Sequence, residues 1–389
     1  MMKKFLIAGS LALFMCFSSL FVGHTALTAK AESEMLNLSC KSAYCIDATS
    51  ATPVYAFHET QRLPIASMCK IMTLILSFDA VKSGKLDYDT VVPVSEHAMS
   101  MGGSQVYLEA GGQYTAEQLM ESVTVCSAND ACVALAEYIA GSDDLFVQKM
   151  NERAKGLGCG DTLFANCTGL PKDPQYSCAH DVALMLRELI LNEKYFQFAG
   201  VWTDEFQHPE GRTTLITNTN KLIRQYQGCD GGKTGFTNEA GFCLAATAKR
   251  GDTRVISVCI GSPDSKSRFA AVSRMFDYTF ANYADREVYG TEPLDEKLSI
   301  KNGKVQEISV MPEAPVRYFC KIGAEDATIT RDAQFFSVSA PLKKGDKVGE
   351  MTVYKDGVEY AKVSIVSCED AEKANYFDYC RRAAENWAI

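Results

Sequence analysis

The chain has 389 residues, enough for two or three domains with full cores, so it is neither a peptide nor a staple-dependent mini-protein. Apolar residues make up 47% and charged residues 22%, with only 11 Pro and 27 Gly, which excludes a disordered, collagen-like or polytopic membrane chain. The formal charge of −9 becomes −12 without Lys3, Lys4 and Lys30 of the first segment, and this acidic balance argues against a nucleic-acid partner.

Lys3 and Lys4 precede an apolar run over residues 5–22, and the small-x-small site Ala29-Lys30-Ala31 follows. This is the three-part layout of a secretory signal over residues 1–31. Gly9, Ser10, Ser18 and Ser19 interrupt the run, which favours cleavage over a retained anchor helix. Residues 32–290 then mix alternating segments with long 3.6-periodic ones, the pattern of an α+β domain with a helix-rich middle.

Within that domain Pro64-Ile65-Ala66-Ser67-Met68-Cys69-Lys70 leads into the helix-like Ile71-Met72-Thr73-Leu74-Ile75-Leu76. Pro64 and Ser67 suit a helix start, and a spacing of three puts the Ser67 hydroxyl and the Lys70 amine on one face of the first turn. A serine beside an amine is a nucleophile beside its base. The base works near neutrality only if burial and a second cation lower its pKa of ~10.4 by about two to three units. Further on, Ser127-Ala128-Asn129-Asp130 ends the segment 119–126 and offers a hydroxyl and an amide that can face one cleft from a turn. A helical stripe at 181–190 follows.

Asp230-Gly231-Gly232-Lys233-Thr234-Gly235-Phe236-Thr237 precedes an apolar strand-like run. On a strand Lys233 and Gly235 share one face, Gly235 lets another backbone or a ligand come close, and Lys233 with Thr234 offers a cation and a hydroxyl to a carboxylate. After residue 291 the texture becomes all-β: 305–310 alternates, and Asp356-Gly357 is a hairpin turn between 351–354 and 358–363. Residues 291–370 therefore read as a small β-sandwich-like domain. In the tail, 371–389, Tyr376, Phe377, Cys380, Ala384 and Trp387 fall near one helical stripe, suited either to packing on the β domain or to contact with a membrane surface.

In this order and in an exported chain, S-x-x-K, S-x-N and K-T-G resemble the penicillin-binding proteins and serine β-lactamases. More closely, the chain is similar to the low-molecular-weight D-alanyl-D-alanine carboxypeptidases, through 64–73, Met101-Gly102-Gly103-Ser104, 127–131, Gly169-Leu170 and 230–237. The resemblance implies a catalytic domain with an antiparallel sheet flanked by helices plus a helical subdomain. It implies that Ser67 is acylated by a cell-wall stem peptide ending in D-Ala-D-Ala, with Lys70 as general base and Ser127 relaying a proton to the departing D-alanine. Asn129 would bind the substrate amide, and Lys233, Thr234 and Gly235 would form the carboxylate end of the site. The backbone N–H groups of Ser67 and Phe236 would form the oxyanion hole. β-Lactams would acylate the same serine, and neither a metal nor a cofactor is implied. Two departures stand out: Cys69 inside the first motif, read as a small apolar residue, and the apolar Phe236 after K-T-G.

A class A-like β-lactamase is the nearest alternative, because Glu188-Leu189-Ile190-Leu191-Asn192 matches E-x-x-L-N. It lies late in the chain and inside an amphipathic stripe, and the second motif lacks the aspartate of S-D-N. A non-catalytic wall-binding protein on the same fold is the other. No G-x-S-x-G, H-E-x-x-H or C-x-x-C occurs, and His58, His97, His180 and His208 lie in no triad-like motif. The fifteen cysteines, fourteen after cleavage, lie largely on core segments and read as free thiols rather than a disulfide scaffold.

Overall fold

The computed structural model describes residues 36–324 and 327–387, and the chain divides into two units at Asn282. The expected export signal, 1–31, lies outside the described residues.

The first unit opens on β1 (Ser42–Asp47) and β2 (Pro53–Phe57), followed by a 3-10 turn (Ala66–Cys69) that runs into α1 (Lys70–Lys82). Ten of the thirteen residues of α1 are buried. A helix without a polar face has to be enclosed on all sides, and α1 is the hub of the unit's core. Around it come β3 (Val91–Pro93), α2 (Glu96–Met99), β4 (Gln113–Thr115), α3 (Ala116–Val125), α4 (Asn129–Ala140) and α5 (Asp143–Gly156). A capping box between Thr115 and Gln118 starts α3, and Gly141, left-handed at φ 86, ends α4.

Next come α6 (Ala179–Leu189), α7 (Glu193–Ala199), β5 (Thr203–Gln207), β6 (Thr213–Thr217) and α8 (Leu222–Gln225). On α6 the buried set Val182, Ala183, Met185, Leu186 and Leu189 is the stripe expected at 181–190. The unit closes with β7 (Cys229–Thr237), β8 (Gly241–Arg250), β9 (Thr253–Ser262) and α9 (Ser265–Asn282). All pairings in the main sheet are antiparallel, in the order β2-β1-β9-β8-β7. The first strands thus join the last ones, and the helices between them form the subdomain. This is an α+β fold, with β7 left at the sheet edge.

The second unit holds β10 (Tyr283–Tyr289), β11 (Lys297–Ser299), β12 (Glu307–Pro312), β13 (Val316–Lys321), β14 (Ile329–Phe335), β15 (Lys347–Lys355) and β16 (Val358–Ser367). β10 pairs with β13, so this unit begins at Tyr283, earlier than the texture change at 291 suggests. The other five strands form a sheet ordered β11-β12-β16-β15-β14 over a core that includes Ile308, Val310, Val348, Met351, Val353 and Ile365. Asp356 (φ 53) and Gly357 (φ 79) both take the left-handed conformation that a two-residue hairpin between β15 and β16 requires. Ala371 bridges to Leu342, so the terminal helix, α10 (Tyr376–Trp387), starts later than 371. Tyr379 donates its hydroxyl to Asn302 Oδ1 at 3.1 Å, and Arg382 donates to the carbonyls of Gly303 and Lys304, while Tyr376, Phe377 and Trp387 stay exposed.

All fourteen cysteines among the described residues are free, and nine are buried. Cys69 Sγ donates to the Asn166 carbonyl at 3.2 Å inside the core, as a small, weakly polar filler. No described helix is long and apolar enough to cross a membrane.

Candidate active site

Ser67, the nucleophile expected from the sequence, stands on a strained turn. Ala66 is buried at φ +47, a conformation that L-residues adopt at a cost. Gly169 (φ +82) backs this turn so closely that a Cβ on it would lie 2.0 Å from the Ala66 carbonyl oxygen. Because α1 begins at Lys70, Ser67 is one turn away, and Lys70 Nζ donates to Ser67 Oγ at 2.9 Å. The amine also donates to the Thr168 carbonyl at 2.6 Å. Asn166 Oδ1 holds that carbonyl's segment by accepting from the backbone N–H groups of Thr168 and Gly169, at 3.2 and 2.7 Å. Lys70 is fully buried, and desolvation pushes its pKa down. Its neighbour Cys132 is pushed up to about 12 by burial, so that thiol stays neutral and offers no anion to hold the lysine charged.

The second group comes from the junction of α3 and α4. Ser127 takes φ +67 there, and its Oγ is buried without a partner among the described residues. Asn129 is the first residue of α4; its Nδ2 donates to the Gly102 carbonyl at 2.6 Å, and its Oδ1 is likewise buried and unpartnered among the described residues. Buried polar atoms left alone cost about 1–3 kcal/mol each, a cost tolerated mainly where a ligand supplies the partner. Asp130, fully buried, accepts from the backbone N–H groups of Val106 and Leu108 at 3.1 Å and so fastens the 102–108 segment beside them.

The third group lies on the edge strand β7. A Cβ on Gly235 would lie 2.7 Å from the Ile65 carbonyl oxygen and 3.1 Å from the Ser67 nitrogen, so only glycine lets β7 meet the nucleophile turn. Lys233 is buried and donates to the Thr234 carbonyl at 3.2 Å; burial and the charge of Lys70 bring its pKa down to about 7. Burial is the leading cause of the shift at both lysines. Phe236 is half-exposed, its ring against Phe242 at 4.3 Å between centroids.

A family profile described as D-alanyl-D-alanine carboxypeptidase matches residues 28–264. The chain belongs to that family. A second profile, the C-terminal domain of penicillin-binding protein 5, matches residues 283–373. Among curated relatives, D-alanyl-D-alanine carboxypeptidase DacF of Bacillus subtilis is 37% identical over 92% of both chains. DacD of Escherichia coli is 29% identical over 97% of both. Of solved structures, PBP3 from Streptococcus pneumoniae, a peptidoglycan synthesis regulatory factor, superposes with a TM-score of 0.73 at 26% identity, covering 86% of this chain and all of that one. Penicillin-binding protein 5 from Haemophilus influenzae gives 0.66 at 25%, covering 87% and 98%. The protein is a serine peptidase of the penicillin-binding type, with the α+β fold expected of it.

In this carboxypeptidase the helix turn links Ser67 to Lys70, and β7 brings Gly235 against Ser67. Glu188 lies elsewhere: it pairs with Arg153, which also donates to Asp79 at 2.8 Å, so the glutamate of the E-x-x-L-N string is held in a surface ion-pair network. Sequence reading missed Arg268 of α9. Its Nη1 donates to the carbonyls of Gly235 and Cys243 at 3.1 and 3.3 Å, fixing the edge strand from behind. The available signal was a cation on the apolar stripe that includes Val272, Met275 and Phe276. Among the described residues, Cys178, His180 and Asp181 have metal-ligand atoms within 4.8 Å of one another. These groups already serve the start of α6: Cys178 Sγ accepts from the Asp181 N–H at 3.4 Å, and Asp181 pairs with His180 at 2.9 Å and accepts from Thr162 at 2.8 Å.

Proposed function

We propose that Ser67 attacks the carbonyl between the two terminal D-alanines of a peptidoglycan stem peptide. The observation that carries this reading is the 2.9 Å contact between Ser67 Oγ and a fully buried Lys70 amine. With Lys70 neutral, the same contact runs with Ser67 as donor. The Ser67 proton passes to Lys70 as the Oγ–carbon bond forms, and Ser127 relays that proton from Lys70 to the departing D-alanine nitrogen as the carbon–nitrogen bond breaks. Water then cleaves the ester and restores Ser67. The backbone N–H groups of Ser67 and Phe236 receive the oxyanion, each contributing ~3 kcal/mol to the transition state. Asn129 binds the peptide amide, and Lys233 and Thr234 hold the terminal carboxylate, with Gly235 keeping the strand close. A β-lactam enters the same site and acylates the same oxygen.

Mass spectrometry after penicillin treatment is expected to place one adduct on the peptide containing Ser67 and none on Ser67→Ala. Label on another peptide, or rapid turnover of nitrocefin without an adduct, would overturn the carboxypeptidase reading in favour of other chemistry. Hydrolysis should also report on Lys233. This lysine must be charged to hold a carboxylate, so kcat/KM for a D-Ala-D-Ala peptide is expected to fall as pH rises through about 7 in the free enzyme. A flat alkaline limb would count against Lys233 as the carboxylate partner.

The proposed place of action is outside the cell membrane, after removal of residues 1–31. The exposed Tyr376, Phe377 and Trp387 on α10 support contact with the membrane surface. Fractionation of cells is then expected to move the protein from the membrane to the soluble fraction when residues 371–389 are deleted; no change would dismiss the contact.

A further inference from the structure

The segment Thr217-Asn218-Thr219-Asn220 belongs to none of the three motifs, yet it stands between two of them. Buried Asn218 donates from Nδ2 to the carbonyls of Ala199 and Val201, at 2.9 and 2.8 Å. Buried Asn220 donates from Nδ2 to the Gly231 carbonyl of β7 at 3.2 Å and accepts the Leu222 N–H at 3.1 Å. Thr219 is thereby clamped on both sides. Its backbone N–H donates to the Val125 carbonyl at 3.0 Å, two residues ahead of Ser127. Its hydroxyl is half-buried and accepts from Thr234 Oγ1 at 2.8 Å.

A hydroxyl has one proton and two lone pairs. While Thr234 donates to Thr219 it turns only lone pairs to the cleft, which repel a carboxylate. For Thr234 to donate to an anion, the pair has to turn over, with Thr219 donating to Thr234 and Thr234 donating outward. In that arrangement both O–H dipoles point toward the anion and strengthen each other. We propose that Thr219 is a positioning residue for the carboxylate end of the substrate, supplying its proton to Thr234 so that the proton of Thr234 is free for the carboxylate. The proposal rests on the reading of Thr234 as a carboxylate partner. It makes Thr219 a determinant of selectivity for chain ends that carry a charge.

The measurement is kcat/KM of the full-length enzyme for one peptide ending in D-Ala-D-Ala and for the same peptide ending in D-alaninamide. Thr219→Val keeps the shape and removes the hydroxyl. It is expected to lower the carboxylate-to-carboxamide ratio about tenfold, the worth of one hydrogen bond aimed at a charge, while Thr219→Ser stays within about twofold of the parent. Thr219→Ala serves if the valine variant does not fold. An unchanged ratio, or an equal loss on both peptides, would overturn the proposal, because a merely structural role affects both alike. Thr234→Val separates the two levels. If it lowers the ratio and Thr219→Val does not, only the role of Thr219 falls; if Thr234→Val leaves the ratio intact, the carboxylate reading falls as well.

Discussion

Lys70→Met is expected to reduce acylation by penicillin about a thousandfold or more and, at the same time, to raise the melting temperature. The loss follows from removing the only amine within hydrogen-bond reach of Ser67 Oγ among the described residues; a positioned base contributes ~10²–10⁴-fold. The gain in stability follows from linkage. Burial lowers the pKa of Lys70 in the folded chain below its unfolded value of ~10.4. The folded chain binds this proton less tightly than the unfolded chain does, so the amine destabilises the fold at any pH below its unfolded pKa. That cost shrinks as pH rises toward the unfolded value. The difference in melting temperature between variant and parent should therefore narrow in calorimetry as pH is raised toward the unfolded pKa, even though methionine leaves the Thr168 carbonyl without its donor. A variant less stable than the parent at pH 7 would mean that the bonds to Ser67 and Thr168 outweigh the cost of burying the amine.

Gly235→Ala should cost nearly as much activity by a different route. The added methyl would stand 2.7 Å from the Ile65 carbonyl oxygen and 3.1 Å from the Ser67 nitrogen. Both are backbone atoms of a turn already strained at Ala66, so β7 must retreat. The Phe236 N–H retreats with it and loses its proposed place beside the Ser67 N–H as an oxyanion donor. Loss of one such donor costs ~10²–10³-fold. Stopped-flow acylation with a fluorescent penicillin should show that loss with only a modest drop in melting temperature, since β7 is an edge strand backed by β8 and by Arg268. Acylation within about tenfold of the parent would show that the strand edge has room to spare.

Features that depend on neighbours in the chain were legible. The Ser67–Lys70 spacing needed only the geometry of one helical turn. The Asp356-Gly357 hairpin needed only residues that tolerate positive φ, and the stripe on α6 needed only a period of 3.6. Features that join distant segments were not. The 283–289 strand looked like part of the catalytic domain because its partner, 316–321, lies beyond the apparent boundary. Arg268 went unmarked because its partners lie on distant strands, and only α9 places it behind Gly235. The E-x-x-L-N string could be set aside from its late position and amphipathic stripe, but only the fold shows that Glu188 pairs with Arg153.

The sequence by itself determined the chemistry available: a serine beside a lysine, a second hydroxyl with an amide, and a cation beside a hydroxyl and a glycine. These are properties of residue type and short spacing, and they suffice to state a reaction class. Only the tertiary structure decided the conditions under which those groups can react. Burial strips Lys70 of its water, Gly169 and Gly235 let two backbones close on the Ser67 turn, and Thr219 meets Thr234 from a separate segment. Desolvation and close approach are sums over segments far apart in the chain, and no local pattern encodes them.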